Sequence, residues 1–143
     1  MPDTASLALK IDRLMRRIHA ELHPRAQMFD EHGVGPIGGM LLLAIGESEP
    51  VDMKTIVRAL GRDKSQVSRL VQTLDSKGLI TKTQSAEDGR AATLSLTPDG
   101  RAQLTRIQDA LTGVIEELFR PVTQDQRTVF ANLLDQILGV DSD

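Results

Sequence analysis

The sequence predicts a mainly α fold of the α+β class, with six helices and one β-hairpin. Apolar residues recur every three or four positions along four segments, which is the spacing of one helix face, and two further helices are indicated by an apolar run and by cap residues. Between the fourth and fifth predicted helices the period changes: Ile80 and Lys82 on one side and Thr93–Leu96 on the other flank the turn signal Asp88-Gly89. The predicted order is therefore four helices, the hairpin and two further helices.

The first two predicted helices differ in how much of their surface is apolar. The first runs from Ala5 to about Glu31, with one apolar face between Leu7 and Leu22. Pro24 lies inside it, and because proline lacks a backbone donor and clashes with the preceding turn, we expect a kink or break there. The second, Ile37–Ile45, is apolar nearly all round and ends near Gly46, so we expect it to be buried.

The third and fourth predicted helices are short and close together. A helix at Met53–Leu60 has Asp52 as its N-cap and Gly61 at its C-terminal end. A tight turn leads to a helix at about Lys64–Lys77, and the hairpin follows directly. Two short helices joined by a glycine-containing turn are typical of a helix-turn-helix.

The last two predicted helices have clear start and stop signals. The fifth begins after Thr97 and is ended by Pro121, and the sixth begins with a capping box of Thr123 and Gln126 and ends at Gly139. Their apolar stripes exceed what one small recognition module covers. We therefore expect a two-fold homodimer, with an ordinary intramolecular bundle as the alternative.

Charge is distributed unevenly along the 143 residues, whose net charge is −3. The window Lys54–Arg106 holds ten basic and five acidic residues, whereas the remainder holds seven basic and fifteen acidic ones. A basic middle within an acidic chain is typical of a DNA-contacting module. The alternative is a charged surface that is merely solvated.

Several classes of function lack their sequence signals. The chain has no cysteine, which excludes disulfides, thiolate metal sites and cysteine nucleophiles. No run of eighteen apolar residues and no signal-peptide core is present, so we expect a soluble, cytoplasmic protein without a membrane partner. Because no glycine-rich phosphate loop, nucleophile elbow or carboxylate pair is visible, we expect neither enzymatic activity nor a cofactor.

The helix at Lys64–Lys77 carries the pattern needed to read base edges. Its apolar residues Val67, Leu70, Val71 and Leu74 fall on one stripe. The opposite face holds small hydrogen-bonding side chains and one arginine, without glutamate, which suits close approach to a major groove. We predict contacts to double-stranded DNA from Lys64, Ser65, Gln66, Ser68, Arg69, Gln72 and Lys82.

The segment Asp63–Arg101 closely resembles the recognition helix and wing of the MarR family of transcriptional regulators. The wing signature is Asp88 and Arg90, then small residues, then Leu96-Thr97 with Gly100 three positions on. The order of elements resembles that family over nearly the whole chain. The resemblance implies that Arg90 enters the minor groove and that Asp88 helps to hold it.

The resemblance also implies an architecture and a mode of action. It implies a single domain over residues 1–143, with a winged helix-turn-helix at 37–97 and dimerisation helices at 5–31 and 98–139. Most family members are repressors released from DNA by a small molecule, which implies an effector cleft near the first two helices. Candidate cleft residues are Arg16, His19, Met28, Phe29 and Met40, with ordinary core packing as the alternative for the apolar ones.

Two other functions stay open at this point. His19 and His23 are four residues apart on one helix face, a spacing that can bind a metal in a metal-responsive regulator, and surface histidines are the alternative. A winged-helix protein can also serve as a protein-interaction module without an operator. Such a module would show exposed apolar anchors on the fourth helix in place of polar side chains.

Overall fold

The structure is a computed structural model that describes residues 3–30, 32–84 and 92–140. Within these ranges the predicted mainly α fold with one hairpin is confirmed. A three-stranded antiparallel sheet has the strand order β1-β3-β2. The elements are α1 Thr4–Phe29, α2 Gly35–Ser48, β1 Val51–Asp52, α3 Met53–Leu60, α4 Lys64–Ser76, β2 Ile80–Gln84, β3 Ala92–Leu96, α5 Pro98–Leu118 and α6 Gln124–Leu138.

Strand β1 is the one element absent from the predicted order. It has two residues, with Val51 paired to Leu94 and Asp52 paired to Thr93. Two residues are too short to show a period of two, and the strand exists because β3 offers its free edge. It joins the start of α3 to the sheet that carries the hairpin.

The core lies between α2, α3, α4, the sheet and the first half of α5. The fully buried side chains there include Leu41, Leu42, Ile45, Leu74 and Leu94. The predicted burial of α2 is confirmed for most of its large apolar residues, and Met40, which is 39% exposed, is an exception. The buried faces of α2 and α4 thus hold the outer face of α4 toward solvent.

Two helices differ in detail from the expectation. Helix α1 runs through Pro24 to Phe29, so the break that was one of the two expected outcomes is absent, and its end lies near the predicted one. The missing N–H removes one intrahelical bond, and Arg25 in the following turn forms an ion pair with Glu117 of α5 at 2.7 Å. Helix α2 ends at Ser48, two residues after the predicted end, and Gly46 instead serves close packing, since a Cβ there would lie 2.4 Å from a methyl carbon of Leu104.

The predicted caps of the short helices are confirmed. The carboxylate of Asp52 accepts a hydrogen bond from the backbone N–H of Thr55 at 2.8 Å, and Gly61 ends α3 with a positive φ of 61°. The bond from the Thr55 backbone, followed by its hydroxyl and by the nearby cations, lowers the pKa of the Asp52 carboxyl. The capping box of Thr123 and Gln126 opens α6 as predicted.

A tight corner joins the hairpin to α5. The hydroxyl of Thr97 donates to the carbonyl of Gly78 at 2.6 Å and accepts from the N–H of Gly100 at 3.0 Å. The N–H of Thr97 donates to the carbonyl of Leu79 at 3.1 Å. These bonds explain why the wing signature needs Thr97 and Gly100: one residue caps α5, and the other lets the helix pass directly over the Leu79 backbone.

Gln103 of α5 is buried without a partner for its acceptor. The residue is 3% exposed, and its Oε1 accepts no hydrogen bond from the described part of the chain. An unsatisfied buried acceptor costs about 1–3 kcal/mol. We expect Gln103→Met, which keeps the length and removes the acceptor, to raise the free energy of unfolding in urea by about 1 kcal/mol. The exposed Gln108 of the same helix is the control, since Gln108→Met removes no buried acceptor.

The described surface has two uncovered apolar faces. On α1, the exposed fractions of Leu7, Ile11 and Met15 are 50%, 48% and 50%. On α6 no residue is buried, and the exposed apolar side chains are Val129, Phe130, Leu133, Leu134, Ile137 and Leu138. Monomeric proteins rarely expose faces of this kind. Among the described residues, no helix combines the length and apolar character needed to cross a membrane.

Candidate nucleic-acid interface

The outer face of α4 is the centre of the candidate interface. Val67, Val71 and Leu74 are at most 2% exposed and fix one side of the helix to the core. On the other side Ser65, Gln66, Arg69 and Gln72 are all exposed, and we call these four residues the recognition ridge. The predicted division of α4 into a buried apolar stripe and an exposed polar face is confirmed, with Leu70 half-buried at its border.

The recognition ridge presents donors and acceptors without a carboxylate. The Nε of Arg69 makes a long bond of 3.4 Å to the carbonyl of Ser65, and no described carboxylate pairs with its guanidinium. Asp63, two positions before the recognition ridge, caps the helix by accepting from the N–H of Ser65 at 3.1 Å. The guanidinium of Arg69 is therefore available to a guanine edge, which it suits geometrically.

A shallow, open cleft lies beside the recognition ridge. Its volume is about 340 Å³, and it is lined by Ile37 at the start of α2 and by Gln66, Arg69, Leu70 and Thr73 of α4. The hydroxyl of Thr73 donates to the carbonyl of Arg69 at 3.0 Å. The cleft therefore adjoins two residues of the recognition ridge, Gln66 and Arg69.

Strand β2 leaves the core after its first residue. Ile80 is buried, but Thr81, Lys82, Thr83 and Gln84 are exposed, as expected of an edge strand that extends into solvent. Lys82 lies on this strand opposite Leu94. The basic side chain of Lys82 and that of Lys64, in the first turn of α4, are both exposed and open to phosphate groups.

Three other residues predicted to contact DNA are Ser68, Asp88 and Arg90, and the structure describes only Ser68. Ser68 is half-buried at the edge of the recognition ridge, so it has less freedom to reach a base than its neighbours. Asp88 and Arg90 lie outside the described residues, and their predicted roles stay predictions. Sequence reasoning missed Lys77, whose ammonium donates to the carbonyl of His32, 45 positions earlier in the chain. No local pattern signals a bond between side chain and backbone over that separation.

Four of the five predicted effector residues, Arg16, His19, Met28 and Met40, are exposed on α1 and α2. Arg16 forms an ion pair with Asp12 at 2.9 Å within α1, and His19 is exposed on the same helix. Met28 is 80% exposed and Met40 39% exposed. Neither the cleft beside the recognition ridge nor the cleft on α6 is lined by any of these four residues. The proposed effector cleft stays a prediction, including the part assigned to Phe29.

The histidine pair on α1 belongs to no cluster of three or more metal-ligating side chains among the described residues. His19 and His23 are both exposed. Within residues 3–30, 32–84 and 92–140, no three histidine or carboxylate side chains converge on a position that a metal ion can occupy. The protein-interaction alternative required apolar anchors on α4, and α4 carries none of the exposed large apolar side chains.

The region of the candidate interface is similar to a known protein family. Residues 32–91 match the model of the MarR family. The chain is 29% identical over 82 residues to the helix-turn-helix regulator SarZ of Staphylococcus saprophyticus, covering 57% of this chain and 53% of that protein. It is 26% identical over 120 residues to the regulator PapX of Escherichia coli, covering 82% and 73%. The chain thus spans between about half and three quarters of these relatives.

Solved structures share the fold over nearly the whole chain. The transcriptional repressor CouR, bound to a 23-mer DNA duplex, covers 92% of each chain with a TM-score of 0.74 and 22% identity. The regulator PcaV of Streptomyces coelicolor, in complex with its natural ligand, covers 95% of this chain and 92% of its own with a TM-score of 0.65 and 20% identity. At these identities the likeness concerns the fold alone.

Proposed function

We propose that this chain, which belongs to the MarR family of winged-helix transcriptional regulators, binds a pseudo-palindromic operator as a homodimer and represses transcription until a small molecule releases it. The observation that carries the proposal is the recognition ridge. Its four polar side chains are exposed while Val67, Val71 and Leu74 behind them are buried. A helix held outward in this way fits the major groove, and its side chains match the donor and acceptor pattern of base edges.

The proposed contacts divide into two kinds. Arg69 is assigned to a guanine edge, with Gln66, Gln72 and Ser65 beside it, because these side chains point outward along one helix face. Lys64 and Lys82 are assigned to phosphates, since both are exposed and flank the ridge. Arg90 is assigned to the minor groove, with Asp88 as its support, on the resemblance alone.

The proposed homodimer would pair the uncovered apolar faces of α1 and α6. Single chains offer one recognition helix and one hairpin, which make few phosphate contacts. A two-fold dimer doubles these contacts and sets the two helices one turn of DNA apart, with half-sites about 10 bp from centre to centre. The uncovered apolar side chains of α6 supply the self-complementary surface that such a dimer needs.

Release by a small molecule requires only that the molecule favours one spacing of the two recognition helices. A ligand shifts an equilibrium by its difference in affinity for the two states and by no other route. The fold of this chain is shared by PcaV, which was solved with its natural ligand. The predicted cleft residues Arg16, His19, Met28, Phe29 and Met40 are the first to substitute once a ligand is found.

Selection of bound sequences from a random duplex pool tests the proposal most directly. We expect an enriched inverted repeat with half-sites about 10 bp apart. Gel shifts on the selected duplex at 50 and 200 mM salt should then show a loss of about 10³-fold or more, because each phosphate contact releases counterions. Failure to enrich any sequence, with the protein dimeric and folded, would contradict operator binding.

Loss of the Arg69 guanidinium is expected to relax sequence discrimination. We expect Arg69→Ala to cost about 1–3 kcal/mol in binding to the selected operator, concentrated at one base pair of each half-site. The physical reason is the lost bidentate contact to a guanine. Fluorescence anisotropy on the operator and on single-base variants measures both quantities.

Lys64→Ala is the matched control for Arg69→Ala. It removes a cation from the same helix, and we expect it to weaken operator and random DNA alike while reducing the salt slope by about 2, since the proposed dimer carries two copies of Lys64. If Arg69→Ala behaved in the same way as Lys64→Ala, the assignment of Arg69 to a base edge would be wrong.

A further inference from the structure

The C-terminal end of the recognition helix is tied to the loop between α1 and α2. Lys77, the C-cap residue of α4, donates from its ammonium to the carbonyl of His32. The acceptor is a backbone atom, so the hydrogen bond requires the loop in its present position but does not require the imidazole side chain of His32. Lys77 is exposed, and its ammonium is therefore also within reach of solvent.

The described part of the loop, residue 30 and residues 32–34, contains two hydrogen bonds to one carboxylate. The carboxylate of Asp30 accepts from the N–H groups of Val34 at 2.8 Å and Gly35 at 3.0 Å. Gly33 adopts a positive φ of 64°, and a Cβ there would lie 3.8 Å from the Nζ of Lys77. These bonds present the His32 carbonyl to the end of α4.

The same loop follows helix α1, which is itself anchored. Near its C-terminal end α1 is joined to α5 by the ion pair of Arg25 and Glu117 at 2.7 Å. Helix α1 is thus connected to α4 through the loop that follows α1 and through one side-chain contact. That contact is the hydrogen bond from Lys77 of α4 to the His32 carbonyl.

A small tilt of α4 about its C-terminal end would displace its N-terminal end by more than an ångström. The helix has 13 residues, so about 18 Å separate its ends, and a tilt of about 5° at Lys77 moves Ser65 by about 1.6 Å. Ser65 and Arg69 belong to the half of the helix that reads bases. A displacement of that size is sufficient to misalign hydrogen bonds to base edges.

We propose that Lys77 is a positioning residue: through the His32 carbonyl it fixes the angle of α4 and so sets the spacing at which two recognition helices fit an operator. The inference rests on the proposed operator binding and extends it. It assigns specificity for half-site spacing to a residue outside the recognition ridge. In this role the ammonium of Lys77 acts within the protein and does not neutralise a phosphate.

The test measures affinity against half-site spacing for four variants of the full chain. The duplexes carry the selected half-sites at centre-to-centre spacings of about 9, 10, 11 and 12 bp. We expect Lys77→Met and Gly33→Ala to reduce the preference for the best spacing by about tenfold, equal to about 1.4 kcal/mol. His32→Ala keeps the carbonyl, and Lys77→Arg keeps a donor, so both should retain the preference of the unaltered chain.

A second measurement does not depend on DNA. Hydrogen exchange at the Val34 and Gly35 amides, which Asp30 caps, should be faster in Lys77→Met and unchanged in His32→Ala. If the unaltered chain bound no duplex, this measurement would still test the contact, and the proposed function alone would fail. If exchange in Lys77→Met stayed at the level of the unaltered chain, the tie itself would be absent.

One result would assign Lys77 to DNA instead. In that case Lys77→Met would weaken binding equally at every spacing and reduce the salt slope by about 1.8, since the proposed dimer carries two copies of Lys77. Gly33→Ala, which removes no charge, would then bind as the unaltered chain does. That pair of outcomes would overturn the positioning role, and so would an unchanged spacing preference in Lys77→Met.

Discussion

Replacing Gly100 by alanine is expected to lower the free energy of unfolding by about 3 kcal/mol or more, near the upper end for a single substitution. A Cβ at this position would lie 1.9 Å from the carbonyl oxygen of Leu79. The obstacle is backbone, and it cannot withdraw, because that oxygen accepts the N–H of Thr97 while the N–H of Leu79 donates to Leu74. Either α5 or the turn after α4 must move. Urea unfolding followed by circular dichroism measures the loss.

Gly39→Ala is the matched control, because the same substitution in another buried helical position should have the opposite sign. A Cβ at Gly39 would meet only Ile107, at an ordinary contact distance of 3.5 Å. Alanine is the better helix former by roughly 0.5–1 kcal/mol, so this variant should be as stable as the unaltered chain or slightly more stable. Equal destabilisation by both variants would show that the close approach at Leu79 is not what the fold depends on.

Gly100 also shows what a sequence pattern conveys and what it leaves out. The motif of Leu96, Thr97 and Gly100 is visible in the sequence, and its resemblance to a known family identified the region. The reason for the motif is tertiary: the Thr97 hydroxyl bridges Gly78 and the start of α5, and the missing Cβ lets the helix pass over the Leu79 backbone. A pattern of types and spacings does not contain these distances.

Predictions from local chemistry were the most accurate for the fold. Asp52, Gly61 and Thr123 act within one or two turns of themselves, and each caps the helix end predicted for it. Local chemistry was insufficient where another element contributes. Arg25, in the turn after Pro24, pairs with Glu117 of α5, and α1 shows no break at Pro24. A Cβ at Gly46 would meet Leu104, so this glycine serves packing inside α2 and does not end the helix.

The same distinction applies to the candidate interface. The period of 3.6 residues placed Ser65, Arg69 and Gln72 on the exposed face of α4, as the structure has them. It gave no sign that Lys77 bonds to the backbone of His32, because the two residues are 45 positions apart and no periodicity links them. The residues of the recognition ridge follow from the period of one helix, whereas the orientation of that helix depends on contacts with other elements of the fold.

Placing a charge in the apolar face of α6 is expected to separate the proposed dimer and to abolish tight operator binding. Leu133 is 50% exposed and lines an open cleft of about 300 Å³ with Val129 and Phe130. Leu133→Glu would put a carboxylate into the paired apolar surface, where an unpartnered charge costs several kcal/mol. The two half-sites would then be bound by separate chains, and the apparent affinity should fall by about 10²-fold or more.

The fold of each chain should survive this substitution, because no residue of α6 is buried within one chain. The helix stays attached through Arg127, which donates to the carbonyl of Phe119 at 2.8 Å, and through the edge-to-face contact of Phe119 with Phe130. Asn132→Glu adds the same charge on the side of α6 away from the apolar stripe and should leave mass and affinity unchanged. Light scattering after size exclusion reports the mass, and anisotropy reports the affinity. A Leu133→Glu protein that remained dimeric and bound its operator tightly would place the dimer interface elsewhere, and the apolar face of α6 would need another partner.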